Sequence, residues 1–314
     1  MRRPRPLAAV AAALALAATS GCGFGEGESS AGEAELRVTR DYGAEVLLDA
    51  TVTDPPESET VMRALDTEAD VETRFGGGFV QSIDGLAGGE GGGRKVDWFF
   101  YVNGVESSIG AADVPVAPGD RIWWDHREWT EVMRVPAVVG SFPEPLAQAS
   151  AENPEPVSLE CAGPEEACAA AGERLDDADV DFENVGLGGG NGGPRVLVGL
   201  WEDVREDRTA ALLEDGPGAS GVFAAPVEAG GGWALQEYDA TAAPNDVLHG
   251  GGMIAALRPG EDPPVWVVAG TDPEGLDAAV AALEEESLRD HYALTLAVPG
   301  GEPTAVPVEH AGSG

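Results

Sequence analysis

The sequence is poor in basic residues. Its 314 residues include 56 Asp and Glu against 18 Lys and Arg, and Lys95 is the single lysine, so the formal net charge is −38. A chain this acidic repels phosphate backbones and anionic lipid headgroups, which argues against nucleic acid as a partner and against a basic membrane-binding patch. The apolar fraction of 43% is sufficient for buried cores, and the length predicts two domains.

Signatures of catalysis and of metal binding are also missing. The sequence has no Gly-x-Ser-x-Gly elbow and no His-Glu-x-x-His helix, and the glycine-rich segment 188–193 precedes a strand instead of following one. His126 lies next to Asp125, but neighbouring side chains of a strand point to opposite faces. We therefore predict no catalytic residue, no metal site and no enzyme, with an exported enzyme in the second half as the remaining alternative.

Cysteine is scarce, with three residues at positions 22, 161 and 168. Cys161 and Cys168 are seven residues apart, so they do not have the Cys-x-x-Cys spacing of a redox pair. In an exported protein these two can form a disulfide, and two free thiols are the alternative.

The N-terminus is typical of an export signal. Arg2, Arg3 and Arg5 precede an apolar run over 7–18, which is too short to span a bilayer as a helix. Thr19-Ser20-Gly21-Cys22 follows and resembles the lipobox of bacterial lipoproteins, in which the cysteine carries the lipid. We thus predict a lipoprotein signal peptide at 1–21, lipidation of Cys22 and an extracytoplasmic protein held by this lipid at the outer face of the cell membrane. A secreted protein without lipid and an N-terminal anchor helix are the alternatives.

Composition and periodicity divide the rest of the chain. Residues 22–35 are predicted to be a flexible acidic tether, 36–140 a first domain, 141–156 a proline-rich linker and 157–314 a second domain. In the first domain we expect strands at 36–40, 46–52, 71–83, 96–103 and 121–129, a helix capped by Ser58, and a glycine-rich loop at 84–94.

The second half repeats one pattern three times. Short apolar strands at 157–160, 195–200 and 265–269 lead through turns into alanine-rich segments at 165–175, 205–214 and 274–286. Alternation of strands and helices predicts an α/β layer domain. The complete fold class is therefore α+β, with a β-grasp-like mixed sheet crossed by one helix, followed by the α/β layer domain, whose role the sequence does not indicate.

Seven of the 19 aromatic residues lie within 98–129. Four linked motifs follow one another in this part of the chain, namely Ser82-Ile83-Asp84-Gly85, Trp98-Phe99-Phe100-Tyr101-Val102-Asn103-Gly104, Gly110 and Pro118-Gly119-Asp120-Arg121-Ile122-Trp123-Trp124. This order resembles the bacterial transcobalamin C-terminal-like domain, a family of extracellular modules. The resemblance covers about 36–140 of the chain.

The resemblance implies a possible corrinoid ligand. In animal cobalamin carriers a domain of this kind covers one face of the corrin, while a separate helical barrel holds the other. This sequence has no such barrel, so binding would need a helical partner protein, a second copy or a smaller flat ligand. The candidate ligand contacts are Phe79, Trp98, Tyr101, Asn103, Trp123 and Trp124, and we predict no resident cofactor.

Ordinary packing explains the same residues. A strand that is apolar on both faces is commonly a central core strand, Trp123 and Trp124 point to opposite faces, and Asn103-Gly104 is a hairpin signal in itself. The sequence is therefore compatible with two binding functions. One is capture of a corrinoid or similar flat ligand for a membrane transporter, which requires an exposed aromatic surface. The other is an envelope interaction module that binds a protein or a glycan without a small ligand.

Overall fold

The computed structural model describes residues 30–74, 78–147, 156–190 and 192–309. The predicted signal peptide, Cys22 and most of the tether lie outside these residues. The fold is mixed α+β in two domains, which confirms the predicted fold class. Among the described residues, no helix has the length and apolarity to cross a bilayer.

The first domain is a mixed sheet with one helix across it. Its helix is α1 (Val61–Glu68). Its strands are β1 (Glu33–Arg40), β2 (Glu45–Thr53), β3 (Val71–Arg74), β4 (Phe79–Ile83), β5 (Leu86–Ala87), β6 (Gly89–Gly91), β7 (Arg94–Val102), β8 (Val105–Glu106) and β9 (Arg121–Glu128). The main sheet has the order β2-β1-β9-β7-β6, with β8 paired to β7, and β3, β4 and β5 form a small second sheet. Strands β1 and β9 run parallel, while β2 and β7 are antiparallel to their neighbours.

Three local expectations for this domain are wrong. Thr60 caps α1 in place of Ser58, because its hydroxyl accepts from the Arg63 amide at 3.3 Å. The glycine-rich segment 84–94 is not a simple loop, since β5 and β6 lie within it. β1 begins inside the predicted tether, and Ala34 is buried in the core of the domain.

The second domain is built on a sheet of seven strands with the order β11-β10-β12-β17-β16-β18-β19. A three-stranded antiparallel sheet of β13, β14 and β15 packs beside it. Its strands are β10 (Val157–Ala162), β11 (Phe182–Gly186), β12 (Arg195–Leu200), β13 (Ala224–Ala229), β14 (Gly232–Tyr238), β15 (Pro244–Leu248), β16 (Gly251–Leu257), β17 (Val265–Gly270), β18 (Ala293–Ala297) and β19 (Pro303–Val306). Its helices are α2 (Glu165–Asp177), α3 (Trp201–Val204), α4 (Pro217–Ser220), α5 (Pro273–Ala281), α6 (Glu285–Leu288) and the 3-10 helix Ala210–Asp215.

The three predicted strand-turn-helix units are realised unequally. The first and third contain α2 and α5, which cover one face of the large sheet. The second breaks into two short pieces because the Asp207 carboxylate accepts from the amides of Thr209 and Ala210, which starts a new turn. Residues 141–147 of the predicted linker belong to the same core, since Phe142 and Leu146 are buried in it.

The other face of the large sheet is covered partly by the first domain. A single apolar cluster contains Tyr101 and Trp123 of the first domain together with Val267 and Tyr292 of the second. Two glycines permit this close approach. A Cβ on Gly43 would lie 1.8 Å from the Asp290 carbonyl oxygen, and one on Gly140 would lie 2.8 Å from the His291 amide nitrogen.

Candidate functional site

Five of the six candidate ligand contacts are buried. Trp98, Tyr101, Asn103, Trp123 and Trp124 are each less than 9% exposed, whereas Phe79 is 38% exposed. The expectation of an exposed aromatic surface over 79–124 is therefore not met. The physical reason is that both faces of the central strands β7 and β9 are covered, one by α1 and the other by the second domain.

Trp98 and Trp124 belong to the face under α1. Trp124 stacks on Phe100 with a centroid separation of 4.7 Å, and the Trp98 indole donates to the Leu86 carbonyl at 2.9 Å. Leu36 and Leu65 close the same cluster. These two tryptophans serve as core residues in this arrangement.

Tyr101 and Trp123 belong to the opposite face and contact the second domain. The Trp123 and Tyr292 rings meet edge to face at 5.3 Å, and the Tyr101 and Tyr292 hydroxyls are 3.3 Å apart. Tyr42 also packs against Tyr292, edge to face at 5.0 Å. The aromatic residues of this face therefore form the contact between the two domains.

Asp125 is the polar centre of this contact. Its carboxylate is fully buried and accepts from the hydroxyls of Thr39 at 2.6 Å and Tyr292 at 3.0 Å, and from the Tyr42 amide at 3.0 Å. Trp123 donates in turn to the Thr39 hydroxyl at 2.8 Å. Burial raises the pKa of Asp125, and the hydrogen bonds from Thr39 and Tyr292 oppose that rise.

Ion pairs surround the buried contact. Arg37 binds the Asp290 carboxylate, with Nε and Oδ1 2.8 Å apart. Two further pairs cross between the domains, Arg121 with Glu285 at 2.8 Å and Arg289 with Glu35 at 3.2 Å. Because these partners are partly exposed, each pair contributes modestly and is weakened by salt; their main effect is to fix the orientation of the domains.

Arg127 holds the segment that follows β9. Its guanidinium is fully buried, lies 3.7 Å from the Phe99 ring centroid and donates to the carbonyls of Glu128, Val132 and Met133 at 3.1–3.3 Å. A buried cation is costly unless it is bonded in this way. Tyr42 and Asp125 were not identified from the sequence as contact residues, because their partners are remote along the chain. Arg127 was not identified either, although the carbonyls that it binds lie within six residues of it.

Asn103 forms a turn. Its side-chain Nδ2 donates to the Asp120 carboxylate at 2.8 Å, and its side-chain Oδ1 accepts from the Arg121 backbone amide at 2.8 Å. Its φ of 54° fits the first position of a tight hairpin. The neighbouring Gly104 has a φ of 74°, and a Cβ there would lie 2.9 Å from the Val138 carbonyl oxygen. These contacts account for the Asn103-Gly104 motif structurally.

The remaining sequence candidates lie apart from this contact. Cys161 and Cys168 are at disulfide-bonding distance, with Cα atoms 5.8 Å apart, and join β10 to α2. In the glycine-rich segment before β12, the Gly188 amide donates to the Glu160 carboxylate at 2.6 Å. Among the described residues, no group of three His, Cys, Asp or Glu side chains is arranged to hold a metal ion.

Concave surfaces remain on the outside of the molecule. One is an open groove of about 490 Å³, here named the hairpin groove, between the β6–β7 hairpin and the ends of β1 and β9. It is lined by Arg40, Asp41, Leu86, Ala87, Gly89, Glu90, Gly91, Arg94, Val96 and His126. A second groove, between α2 and α5, has a volume of about 500 Å³.

Comparison with known proteins gives one family match, to part of the first domain. No curated protein matches the chain. A crystal structure described as a putative metal binding protein from Ruminococcus gnavus is 16% identical over 31% of this chain and 97% of its own, with a TM-score of 0.24, which is too low to transfer a fold or a metal. Residues 58–128, well under half of the chain, match the family described as a domain of unknown function, DUF4430.

Proposed function

We propose that the protein is exported, is held at the outer face of the cell membrane by lipid on Cys22, and acts there as an interaction module that binds another envelope component. The lipobox-like sequence before Cys22 supports the anchor. The Cys161–Cys168 pair supports export, because disulfides persist in oxidising compartments.

One observation carries the interaction function. Of the aromatic candidates for a flat ligand, Trp98, Tyr101, Trp123 and Trp124 are packed under α1 or against the second domain. The surface left for a partner is therefore the outside of a two-domain unit, including its sheet edges and grooves.

Corrinoid capture for a membrane transporter is the competing function, and the four transcobalamin-like motifs favour it. In that case Tyr101 and Trp123 become accessible only when the domains separate, which breaks the hydrogen bonds of Tyr292 and the ion pairs around Asp290. Corrinoid binding must then supply the free energy of that separation.

Titration of the chain from residue 23 onward with cobalamin, followed by visible absorbance and calorimetry, distinguishes the two functions. We expect no heat and no spectral change up to millimolar cobalamin. Binding at micromolar concentration or tighter, abolished by Trp123→Ala, would replace the interaction function with capture.

The anchor is tested separately in cells. Full-length protein should fractionate with membranes and take up a labelled fatty acid, and Cys22→Ser should abolish both. Labelling that survives in Cys22→Ser would remove the lipid from the proposal.

A further inference from the structure

Strand β2 is a long free edge of the first sheet. It has nine residues and pairs with β1 on one side, while no strand of the described part of the chain pairs with its other side. The other strands with a neighbour on one side only, β3, β5, β6, β8, β11, β13, β15 and β19, have two to six residues. Proteins commonly keep edge strands short or protect them with lysine or proline, because a free edge pairs readily with another strand. β2 contains neither residue, so its edge is open to a further strand.

The backbone groups of β2 point alternately towards β1 and towards solvent. The Glu35 amide donates at 2.8 Å to the carbonyl that precedes β9, so the amide and carbonyl of the next residue, Leu36, face β2. Leu36 lies opposite Ala50, and Ala50 therefore uses its backbone groups inside the domain. The amides and carbonyls of Asp49 and Thr51, on either side of Ala50, face outwards. A row of donors and acceptors at this spacing is matched by another extended polypeptide.

The charges of this edge favour a second copy of the same chain over a basic peptide. The acidic residues of β2 are Glu45 and Asp49, and arginines of β1 neutralise both. Arg40 Nε lies 2.9 Å from Glu45 Oε2, and Arg37 binds the Asp49 carboxylate. An acidic edge would repel a chain whose formal net charge is −38. Neutralisation removes this obstacle and gives a cationic partner no advantage.

Two copies of β2 are complementary when they run antiparallel about a two-fold axis at Ala50. The outward-facing Asp49 of each copy then exchanges backbone hydrogen bonds with Thr51 of the other, so a carboxylate meets a hydroxyl. On the face under α1, Leu48 lies opposite Val52 and the small Ala50 lies opposite itself, which extends the partly buried apolar surface across both copies. A two-fold axis at Asp49 would instead place two carboxylates opposite each other.

The second domain leaves this edge accessible. The residues of β2 other than Leu48, Ala50 and Val52 are all exposed, so the second domain does not extend over β2. They include Val46 and Leu47, which are 44% and 42% exposed. Pairing of two copies about Ala50 would place Leu47 of each copy opposite Thr53 of the other and cover part of this apolar surface.

We propose that the protein forms a two-fold symmetric dimer in which the β2 strands of two copies pair antiparallel about Ala50 and join the two first sheets into one. This inference does not depend on the nature of the envelope partner. A dimer presents two copies of the outer surface, so that binding to a repetitive partner gains from multivalency. In the proposed anchored form it also carries two lipid anchors.

The edge is tested with the chain from residue 23 onward, by sedimentation equilibrium between about 1 and 100 micromolar. Thr51→Pro removes an outward-facing amide and leaves the ladder between β1 and β2 intact. Thr51→Val is the matched control, because it changes the same side chain, suits a strand and keeps the amide. We expect the parent chain and Thr51→Val to be dimers, and Thr51→Pro to dimerise at least about tenfold more weakly.

The register is tested by cross-linking under mild oxidation. In the proposed register the two Ala50 Cα atoms are about 4.5 Å apart, which is within disulfide range, so Ala50→Cys should form a covalent dimer. Leu48→Cys lies on the same face and is the control, because its two copies are offset by four residues along the strands, roughly 14 Å. This measurement stands whether or not Thr51→Pro folds.

A parent chain that is monomeric at about 100 micromolar overturns the dimer. Dimerisation that Thr51→Pro leaves unchanged, in a variant with an ordinary urea unfolding transition, overturns the β2 edge as its interface. Cross-linking of Leu48→Cys as readily as Ala50→Cys overturns the two-fold axis at Ala50. None of these outcomes bears on whether the protein binds an envelope component, which is measured separately.

Discussion

The two faces of the first sheet are both rich in aromatic residues, yet they are built differently. Under α1, the face is apolar, with Trp98, Phe100 and Trp124 packed among aliphatic side chains. Against the second domain, the face carries hydroxyls and a buried carboxylate, centred on Asp125 and Tyr292. A face covered by its own domain needs burial alone, while a face that must meet a separate domain in one orientation gains specificity from hydrogen bonds.

Truncation of Trp123 and of Trp124, which are adjacent in β9, should show the difference between the two faces most clearly. Trp124→Ala and Trp123→Ala should each lower the free energy of unfolding by about 3–5 kcal/mol, since each removes a large buried side chain. Hydrogen exchange should rise in α1 and β9 in the first variant, and in both β9 and β18 in the second. Identical exchange patterns would show that the faces are not independent.

Gly43→Ala should loosen the contact between the domains without touching the core under α1. The new Cβ would overlap the Asp290 carbonyl, and the φ of 85° disfavours alanine, so we expect a loss of roughly 2–4 kcal/mol from strain and overpacking together. Urea unfolding measures it. Gly85→Ala is the control, because its φ of 80° is similar and nothing lies within 4 Å of its Cβ; an equal loss there would attribute the whole effect to backbone strain.

Tyr292→Phe should have a smaller effect on the same contact. It removes the hydroxyl that binds Asp125 and Tyr101 and leaves the ring contacts in place, so we expect a loss of about 1–2 kcal/mol. Combination with Asp125→Asn in a double-mutant cycle should reveal coupling between the two residues. Strict additivity would contradict the buried network.

The pH dependence of stability should also differ between variants. Because burial raises the pKa of Asp125, the folded state binds a proton more tightly than the unfolded state. The protonation of Asp125 therefore contributes to the free energy of unfolding below the ordinary carboxyl pKa, and this contribution is lost as the pH rises through the raised pKa. The free energy of unfolding should therefore fall with rising pH, by at most about 1.4 kcal/mol per pH unit from this one group. Asp125→Asn should remove that dependence, whereas Asp66→Asn, at an exposed position, should leave it unchanged. Urea unfolding between about pH 4 and 8 measures it.

The sequence predicted the local parts of the fold well. Alternating apolar residues located β2, and the apolar run over 265–269 located β17. The extended segments predicted at 36–40, 96–103 and 121–129 correspond to β1, β7 and β9. The pairing of Asn103 with Gly104 indicated its hairpin because turn chemistry is local. The helical segment predicted at 205–214 was right in its second half, which is the 3-10 helix Ala210–Asp215. Its first half is a turn, in which the Asp207 carboxylate accepts from the Thr209 and Ala210 amides.

The partner of the aromatic residues could not be predicted. Tyr101 and Tyr292 are 191 residues apart, and alternation along a strand indicates that a face is apolar without indicating what covers it. The same pattern fits a ligand surface and a domain contact equally. The residues that distinguish a domain contact from a ligand surface are Tyr42, Gly43 and Gly140, which contact the second domain. None of them stands out in its own segment of the sequence.

The position of β1 determines how the first domain responds to a mechanical force applied at its N-terminus. The Ser30 amide donates to the Pro55 carbonyl and the Gly32 carbonyl accepts from the Asp54 amide, and the chain then continues directly into β1, which lies between β2 and β9. A pull on the N-terminal tether is therefore directed along β1. It loads the pairings of β1 with β2 and with β9 at the same time, in shear, instead of opening them one after another. In the proposed lipid-anchored form, the anchor connects to a strand that is paired on both sides, so that force on a bound partner would be distributed over the sheet.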